Sequence, residues 1–244
     1  MLVTGASSGL GARFARVLAE NGAAVAVAAR RTAALDKLVA EIERSGGRAV
    51  SVALDVADPS SVSQAVADAE AGLGGLTGLV NNAGVASSAP ALDMTEEEWR
   101  DTMAVNLDGV FRVAQAAARR MKASGEGGAI VNTASILGIR VGAGVAAYCA
   151  SKAAVDHLTR ALALEWARYG IRVNALAPGY FRTEINAKFL DGEIGQAMIK
   201  RIPMRRVGVE GELDGPLLLL MSQAGAYVTG ATLAVDGGHL VSAL

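Results

Sequence analysis

Two periodicities alternate along the chain. Short aliphatic runs recur near residues 1–4, 24–29, 48–54, 76–81, 128–134, 171–176 and 231–235. Between them, near 9–21, 33–45, 59–72, 95–123, 146–169, 184–200 and 209–222, apolar residues return every three or four positions. Runs of the first kind read as strands buried on both faces, and stretches of the second kind as amphipathic helices. Their order predicts a parallel sheet covered by crossover helices, an α/β fold. Asp58-Pro59 and Thr95 with Glu98 predict helix starts, the second as a capping box. Gly22, Gly46-Gly47, Gly74-Gly75 and Gly170 mark helix ends. No linker, charge block or internal repeat divides the chain, so residues 1–244 read as one domain of seven strands. The first strand, Met1 to Thr4, is short for the central strand of such a sheet.

Composition narrows the chemistry. The 244 residues carry 23 basic and 24 acidic side chains and are 52% hydrophobic. A chain of this length buries roughly 70–75% of the surface it exposes when unfolded, enough for a core without disulfides or metals. The single cysteine, Cys149, forms no intrachain disulfide, and two histidines, His157 and His239, are too few for a His-rich metal site. A cytoplasmic protein without a metal is therefore expected. The net charge of −1 leaves no basic footprint for nucleic acid. Mean hydropathy is positive, +0.33, but apolar runs such as 23–29 and 217–221 fall far short of the ~20 residues that span a bilayer. No membrane partner is expected, and Met1-Leu2-Val3 enters a glycine turn directly, without a signal peptide. Glycine is the outlier at 29 of 244 residues, about 12% against ~7% in ordinary usage. Some backbone must approach something closely.

The turn Thr4-Gly5-Ala6-Ser7-Ser8-Gly9-Leu10-Gly11 follows a strand and opens a helix. Glycines there let backbone N–H groups approach a pyrophosphate, which the helix N-terminus stabilises. The spacing G-x-x-x-G-x-G differs from the G-x-G-x-x-G fingerprint, and no P-loop lysine follows. Gly5-x-Ser7-x-Gly9 also fits a hydrolase nucleophile elbow, with His239 as base and Asp214 as acid. That elbow needs strands upstream of it, and only one precedes Ser7. The second strand ends in Arg30-Arg31, with no acid before Asp36. A carboxylate there would accept from an adenosine ribose hydroxyl, whereas arginine accommodates a 2′-phosphate. NADP(H) is thus the preferred cofactor, with NAD(H) as the other possibility. Asp55 and Val56, closing the third strand, lie where the adenine would be reached.

Tyr148 and Lys152 are spaced i, i+4 on a predicted helix and so share one face. A phenol with a pKa near 10 is a poor acid or base at neutral pH, and a neighbouring ammonium favours its phenolate. Ser135 follows the fifth strand, at the carboxyl edge where open α/β sheets bind ligands. Its hydroxyl can hold a substrate oxygen beside the tyrosine. Cys149 reads as a small buried filler and His157 as a residue of the outer helix face.

With the turn Thr4–Gly11, Asn81-Asn82-Ala83-Gly84, Asn106, Ser135, Tyr148-x-x-x-Lys152, Asn174, Pro178-Gly179, Thr183 and Val235-Asp236-Gly237-Gly238 in this order, residues 1–238 resemble a short-chain dehydrogenase/reductase. The resemblance implies a single-domain Rossmann fold with a doubly wound parallel sheet of about seven strands, in a homotetramer or homodimer. It implies Tyr148 as general acid and base at a carbonyl or alcohol oxygen and Ser135 as the group that orients that oxygen. Lys152 would lower the tyrosine pKa and hold the nicotinamide ribose, and Asn106 would hold a water linked to Lys152. Asn82-Ala83-Gly84 would pack near the adenosine ribose, and Pro178, Gly179, Phe181 and Thr183 would cradle the carboxamide. Asn174 supports neighbouring backbone. The family's usual pattern places several residues before the first strand, and this chain departs from it there.

Substrate choice would rest on Leu137–Gly144 and on a lid over 180–202, where Tyr180, Phe181, Ile185, Phe189, Leu190 and Met198 suggest an apolar surface. Leu137, Tyr180 and Ile185 are the candidate substrate contacts, and a hydrophobic ketone or its secondary alcohol is the expected substrate. The leading expectation is an NADPH-dependent carbonyl reductase or alcohol dehydrogenase. A 3-oxoacyl-thioester reductase is the alternative, and a nucleotide-sensing scaffold is a third, disfavoured because Ser135, Tyr148 and Lys152 are all present.

Overall fold

A computed structural model of the chain describes residues 1–182 and 187–242, without the side chain of Phe189. Seven parallel strands form one sheet in the order β3-β2-β1-β4-β5-β6-β7. They are β1 (Leu2–Thr4), β2 (Ala24–Ala29), β3 (Arg48–Ala53), β4 (Gly78–Asn81), β5 (Gly128–Thr133), β6 (Ile171–Pro178) and β7 (Thr232–Val235). The helices are α1 (Gly9–Glu20), α2 (Thr32–Arg44), α3 (Pro59–Leu73), α4 (Glu96–Met103), α5 (Gly109–Ser124), α6 (Ala146–Trp166), α7 (Ala187–Asp191), α8 (Glu193–Ile199) and α9 (Asp214–Met221). This is the doubly wound Rossmann arrangement, and strand order reverses beside β1, where β2 and β4 flank it.

The strands are short and aliphatic because both faces are covered. Along β2, alternate side chains go to opposite cores, as the strand repeat of two requires. Val25 and Val27 pack with Phe14 of α1, Leu35 and Leu38 of α2, and Leu217 of α9. Ala26 and Ala28 face Val62 and Val66 of α3, Val113 of α5 and Leu162 of α6. Phe14, Leu35 and Leu217 are fully buried, each stabilising the fold by about 2–3 kcal/mol through burial of apolar surface.

The expected caps are present. Asp58 accepts from Ser60 N at 2.8 Å ahead of Pro59, and Thr95 and Glu98 exchange bonds of 3.2 and 2.8 Å. Three predicted helices are altered. The stretch expected as one helix over 95–123 is interrupted by a π turn at Ala104–Asp108. Within 184–200 the described residues form two short helices, and the stretch over 209–222 begins as a 3₁₀ turn at Glu210–Leu213.

Candidate active site

The glycine turn leaves β1 at the point where strand order reverses. It is tied to the end of β4 by the Thr4 hydroxyl, which accepts from Asn82 N and Ala83 N, both at 3.0 Å. Asn82 Nδ2 returns a bond to Thr4 O at 3.2 Å. Gly5 has φ +64°, and a Cβ on it would lie 2.8 Å from Ala83 Cα, so the two loops touch through backbone. Ahead of α1, the Ser8 side chain makes no capping bond, and a Cβ on Gly9 would meet nothing within 4 Å. Open space thus borders Gly9 at the positive end of the α1 dipole, where first-turn N–H donors fit a pyrophosphate, while Gly11 packs so tightly that a Cβ on it would strike Gly5 O.

Arg31 reaches back over this turn and donates to Ser7 Oγ at 3.2 and 3.0 Å and to Ser8 Oγ at 2.8 Å. Arg30 is exposed beside it. The Asp55 carboxylate accepts from Ala57 N at 3.0 Å, fixing the bend after β3. Val56 is buried under the start of α5. Ser7, His239 and Asp214, the residues of the hydrolase alternative, are not brought together: Ser7 receives Arg31, Asp214 pairs with Arg13, and His239 packs on Tyr180.

At the carboxyl end of β5, Ser135 sits in extended backbone and its Oγ accepts from Leu137 N at 3.1 Å. That contact leaves the hydroxyl proton to point elsewhere, and the Tyr148 phenol is within hydrogen-bonding reach. The loop that follows lies against α6 so closely that a Cβ on Gly138 would come 2.7 Å from the Lys152 backbone. Lys152 is buried, and its Nζ donates to Thr133 O at 2.7 Å. Nζ lies 5.6 Å from the centre of the Tyr148 ring.

Burial governs the protonation of this pair. It lowers the Lys152 ammonium to about 8, because no carboxylate among the described residues pairs with it. It also pushes the Tyr148 phenol up, with the Ser135 hydrogen bond as the opposing influence. Nζ is bonded to the Thr133 carbonyl, and burial is the largest influence on the phenol.

Asn106 is fully buried in the π turn. Its Oδ1 accepts from Val85 N at 2.8 Å, while Nδ2 donates to Val85 O at 2.8 Å and Ser151 Oγ at 3.1 Å. The side chain is spent on protein partners, so a water held by this residue must use its main chain, whose carbonyls the π geometry re-aims. Gly84 lies over this spot, since a Cβ on it would come 3.3 Å from Asn106 Oδ1 and 3.6 Å from Lys152 Nζ. Two buried side-chain polar atoms among the described residues lack a partner, Thr133 Oγ1 and His239 Nδ1. Each costs about 1–3 kcal/mol while unpaired.

Pro178 ends β6, and Gly179 N donates to Val235 O at 2.8 Å. Asn174 binds Val228 O at 2.9 Å and Ala231 N at 3.0 Å, supporting backbone as expected. Leu137 and Tyr180 are half-buried at the site. Thr183 and Ile185 lie outside the described residues, as does the Phe189 side chain. Phe181 and Leu190 are 4% and 1% exposed, so apolar residues that suggested an apolar substrate are used in packing instead. Cys149 is buried and His157 exposed. Among the described residues no helix is long and apolar enough to cross a membrane.

Comparison with known proteins agrees with this layout. The family model described as enoyl-(acyl carrier protein) reductase matches residues 5–239. The chain is 44% identical over 242 residues to the galactitol 2-dehydrogenase (L-tagatose-forming) of Cereibacter sphaeroides, covering 98% of this chain and 94% of that one. It is 40% identical over 242 residues to the gluconate 5-dehydrogenase of Gluconobacter oxydans (strain 621H), covering 99% and 94%. The crystal structure of a gluconate 5-dehydrogenase from Burkholderia cenocepacia J2315 in complex with NADP and tartrate superposes with a TM-score of 0.95 at 41% identity, covering 99% and 95%.

Proposed function

The chain belongs to the short-chain dehydrogenase/reductase family and is an oxidoreductase acting on CH–OH groups, and from that premise we propose that it interconverts a secondary alcohol of a polyhydroxylated substrate and the corresponding ketone with NADP(H). The observation that carries the reading is the Ser135, Tyr148 and Lys152 cluster at the carboxyl end of β5, next to a helix N-terminus shaped for phosphate. Galactitol and gluconate, named for the relatives, replace the apolar ketone as the substrates to test first. The family model's description names an acyl-carrier substrate; faster turnover of a carrier-bound 3-oxoacyl thioester than of any free ketone would favour that alternative.

A bound nicotinamide dinucleotide supplies the hydride donor or acceptor. Tyr148 holds the proton: its phenol gives it to the substrate oxygen in reduction and takes it back in oxidation. Ser135, whose Oγ already accepts from Leu137 N, is left to donate its own proton to that same oxygen and so fixes its position. Lys152 brings an ammonium near the developing phenolate and, by the family resemblance, would hold the ribose of a bound nicotinamide dinucleotide. Asn106 acts as a positioning residue, clamping the Val85 backbone against α6. The described residues 180–182 and 187–202 are read as a lid over this end of the site. We read the assembly as a cytoplasmic homodimer or homotetramer, supported by Phe111 and Leu164, which stand 39% and 84% exposed on α5 and α6.

NADP(H) preference rests on Arg31, the arginine that lies over the turn. Arg31→Ala is expected to weaken NADPH about 10- to 100-fold, the equivalent of one charge-assisted contact, with a much smaller effect on NADH. Arg30→Ala should matter less. Fluorescence titration of both reduced cofactors checks this, and equal losses for the two would reverse the preference.

The direction of the Tyr148 shift gives a pH signature. Because burial holds the phenol above its ordinary value of 10.0, the protonated form prevails at neutral pH. Ketone reduction consumes that proton and is expected to be flat through neutrality. Alcohol oxidation needs the deprotonated phenol and should rise from about pH 6 upward. It should level off above about 8, where Lys152 loses the charge that favours phenolate. Initial rates in both directions test this; oxidation that slows as pH rises from 6 to about 8 contradicts the assignment.

A further inference from the structure

A second set of side chains runs outward from Tyr180 through segments that the proton transfer does not use. Arg140 stands in the loop after Ser135, and its Nη1 donates to His239 O at 2.9 Å and to Ser242 Oγ at 3.1 Å. The His239 ring packs on the Tyr180 ring with centroids 5.8 Å apart. Tyr180 in turn lies close enough to Tyr148 for the two phenols to influence each other. These contacts draw a line from the reacting phenol through Tyr180 and His239 to a guanidinium.

Charge along that line is unbalanced. Arg140 and Arg201 both bear on the His239 ring, and Asp236 is the acid that opposes them. Both Asp236 oxygens are already occupied, by Gly238 N at 2.9 Å and Leu240 N at 2.7 Å, which holds the turn carrying His239. Among the described residues Arg140 makes no ion pair, and its Nε and Nη2 donors have no partner. Burial and the two arginines lower the His239 pKa, so the imidazole is neutral at neutral pH and Arg140 is the standing positive charge. A half-buried guanidinium pinned by one nitrogen and open at the others matches the planar geometry of a carboxylate.

Resting on the alcohol-oxidising reading above, we infer that Arg140 is a specificity-determining residue that selects hydroxylated substrates whose end remote from the reacting carbon carries a carboxylate. His239, packed on the Tyr180 ring, forms the wall along which the hydroxylated chain lies, its imidazole offering a polar partner to the chain's hydroxyls.

The test uses matched pairs that differ only in the terminal group: D-gluconate with D-glucitol, and D-galactonate with galactitol, each oxidised with NADP⁺. In at least one pair the acid is expected to exceed the alditol in kcat/KM by about 10- to 100-fold, mostly through KM. Arg140→Gln, with its fold checked by thermal melting, should bring that ratio near one, and Arg140→Lys should keep part of it. An alditol that equals or outruns its acid in both pairs overturns the inference. So does an Arg140→Gln enzyme that loses both activities in the same proportion, since that marks a role in holding the C-terminal turn alone. Oxidation of other alcohols but of neither pair also overturns it while leaving the dehydrogenase reading standing. Failure to oxidise any alcohol would remove that reading as well.

Discussion

Tyr148→Phe is expected to lower kcat in both directions by about a hundred- to ten-thousand-fold, the range over which a positioned general acid or base accelerates proton transfer. The substitution removes one oxygen and leaves the ring. Its neighbours Ser135 and Lys152 keep their own anchors at Leu137 N and Thr133 O, so the fold and the cofactor's affinity should be preserved. Steady-state rates beside NADPH titrations and melting curves separate these effects. A variant that binds NADPH normally and turns over within about tenfold of wild type would show that the proton travels by another route.

Lys152→Met is expected to abolish useful turnover and, at the same time, to make the protein more stable. The Lys152 ammonium is 4% exposed, has one hydrogen bond at 2.7 Å and no carboxylate partner among the described residues. A buried charge in that condition is costly, and a hydrophobic replacement of similar volume is often stabilising by about 1–4 kcal/mol. The lost bond to Thr133 O offsets roughly 1 kcal/mol of that gain. The pH dependence follows from the direction of the shift. The folded-state value, about 8, lies below the ordinary 10.5, so below about 8 both states carry the proton and the full penalty is present. Between those values the unfolded chain binds the proton and the folded chain does not, and stability rises with pH. Denaturant unfolding at several pH values should show that rise in wild type and less of it in Lys152→Met. A variant less stable than wild type at neutral pH would mean that the ammonium supports the fold, contrary to the burial argument.

The two predictions use residues that were visible in the sequence, and the contrast between them shows where sequence reading stops. The strands were legible because small aliphatic runs such as Ala24–Ala29 have one economical use in a sheet buried on both faces. The Tyr148 and Lys152 spacing was legible because helix geometry places i and i+4 on one face. The protonation of that pair was not, since it depends on what surrounds them: the sequence suggests an ammonium lowering a phenol, whereas burial shifts both groups the other way. Likewise the sequence around Asn106 reads as unbroken helix where the structure has a π turn. Its cause is tertiary, a side chain bonded to Val85 and Ser151, 21 and 45 residues away. The linkage of Thr4 to Asn82 and Ala83 was hidden for the same reason, although a threonine closing the strand before a glycine turn is a signal that could be sought. Arg30 and Arg31 are indistinguishable by type, and it is Arg31, the residue entering α2, that bonds Ser7 and Ser8.

The apolar lid illustrates the opposite error. Phe181 and Leu190 are apolar in the segment that should touch substrate, but they face the interior. The half-buried His239 ring packs on Tyr180 and its carbonyl holds Arg140, polar neighbours on which the proposal of a hydroxylated substrate draws.

Hydride transfer from a carbinol carbon is the central claim, and isotope tracing tests it without reference to any one residue. Galactitol and D-gluconate bearing deuterium on their carbinol carbons would be incubated with the enzyme and NADP⁺, and the reduced cofactor weighed by mass spectrometry. The account predicts NADPH one mass unit heavier than that formed from the unlabelled substrate, with no label gained when deuterium is carried only on the hydroxyls. Reduced cofactor without the label, or no reduction of NADP⁺ or NAD⁺ by any alcohol supplied, would contradict it.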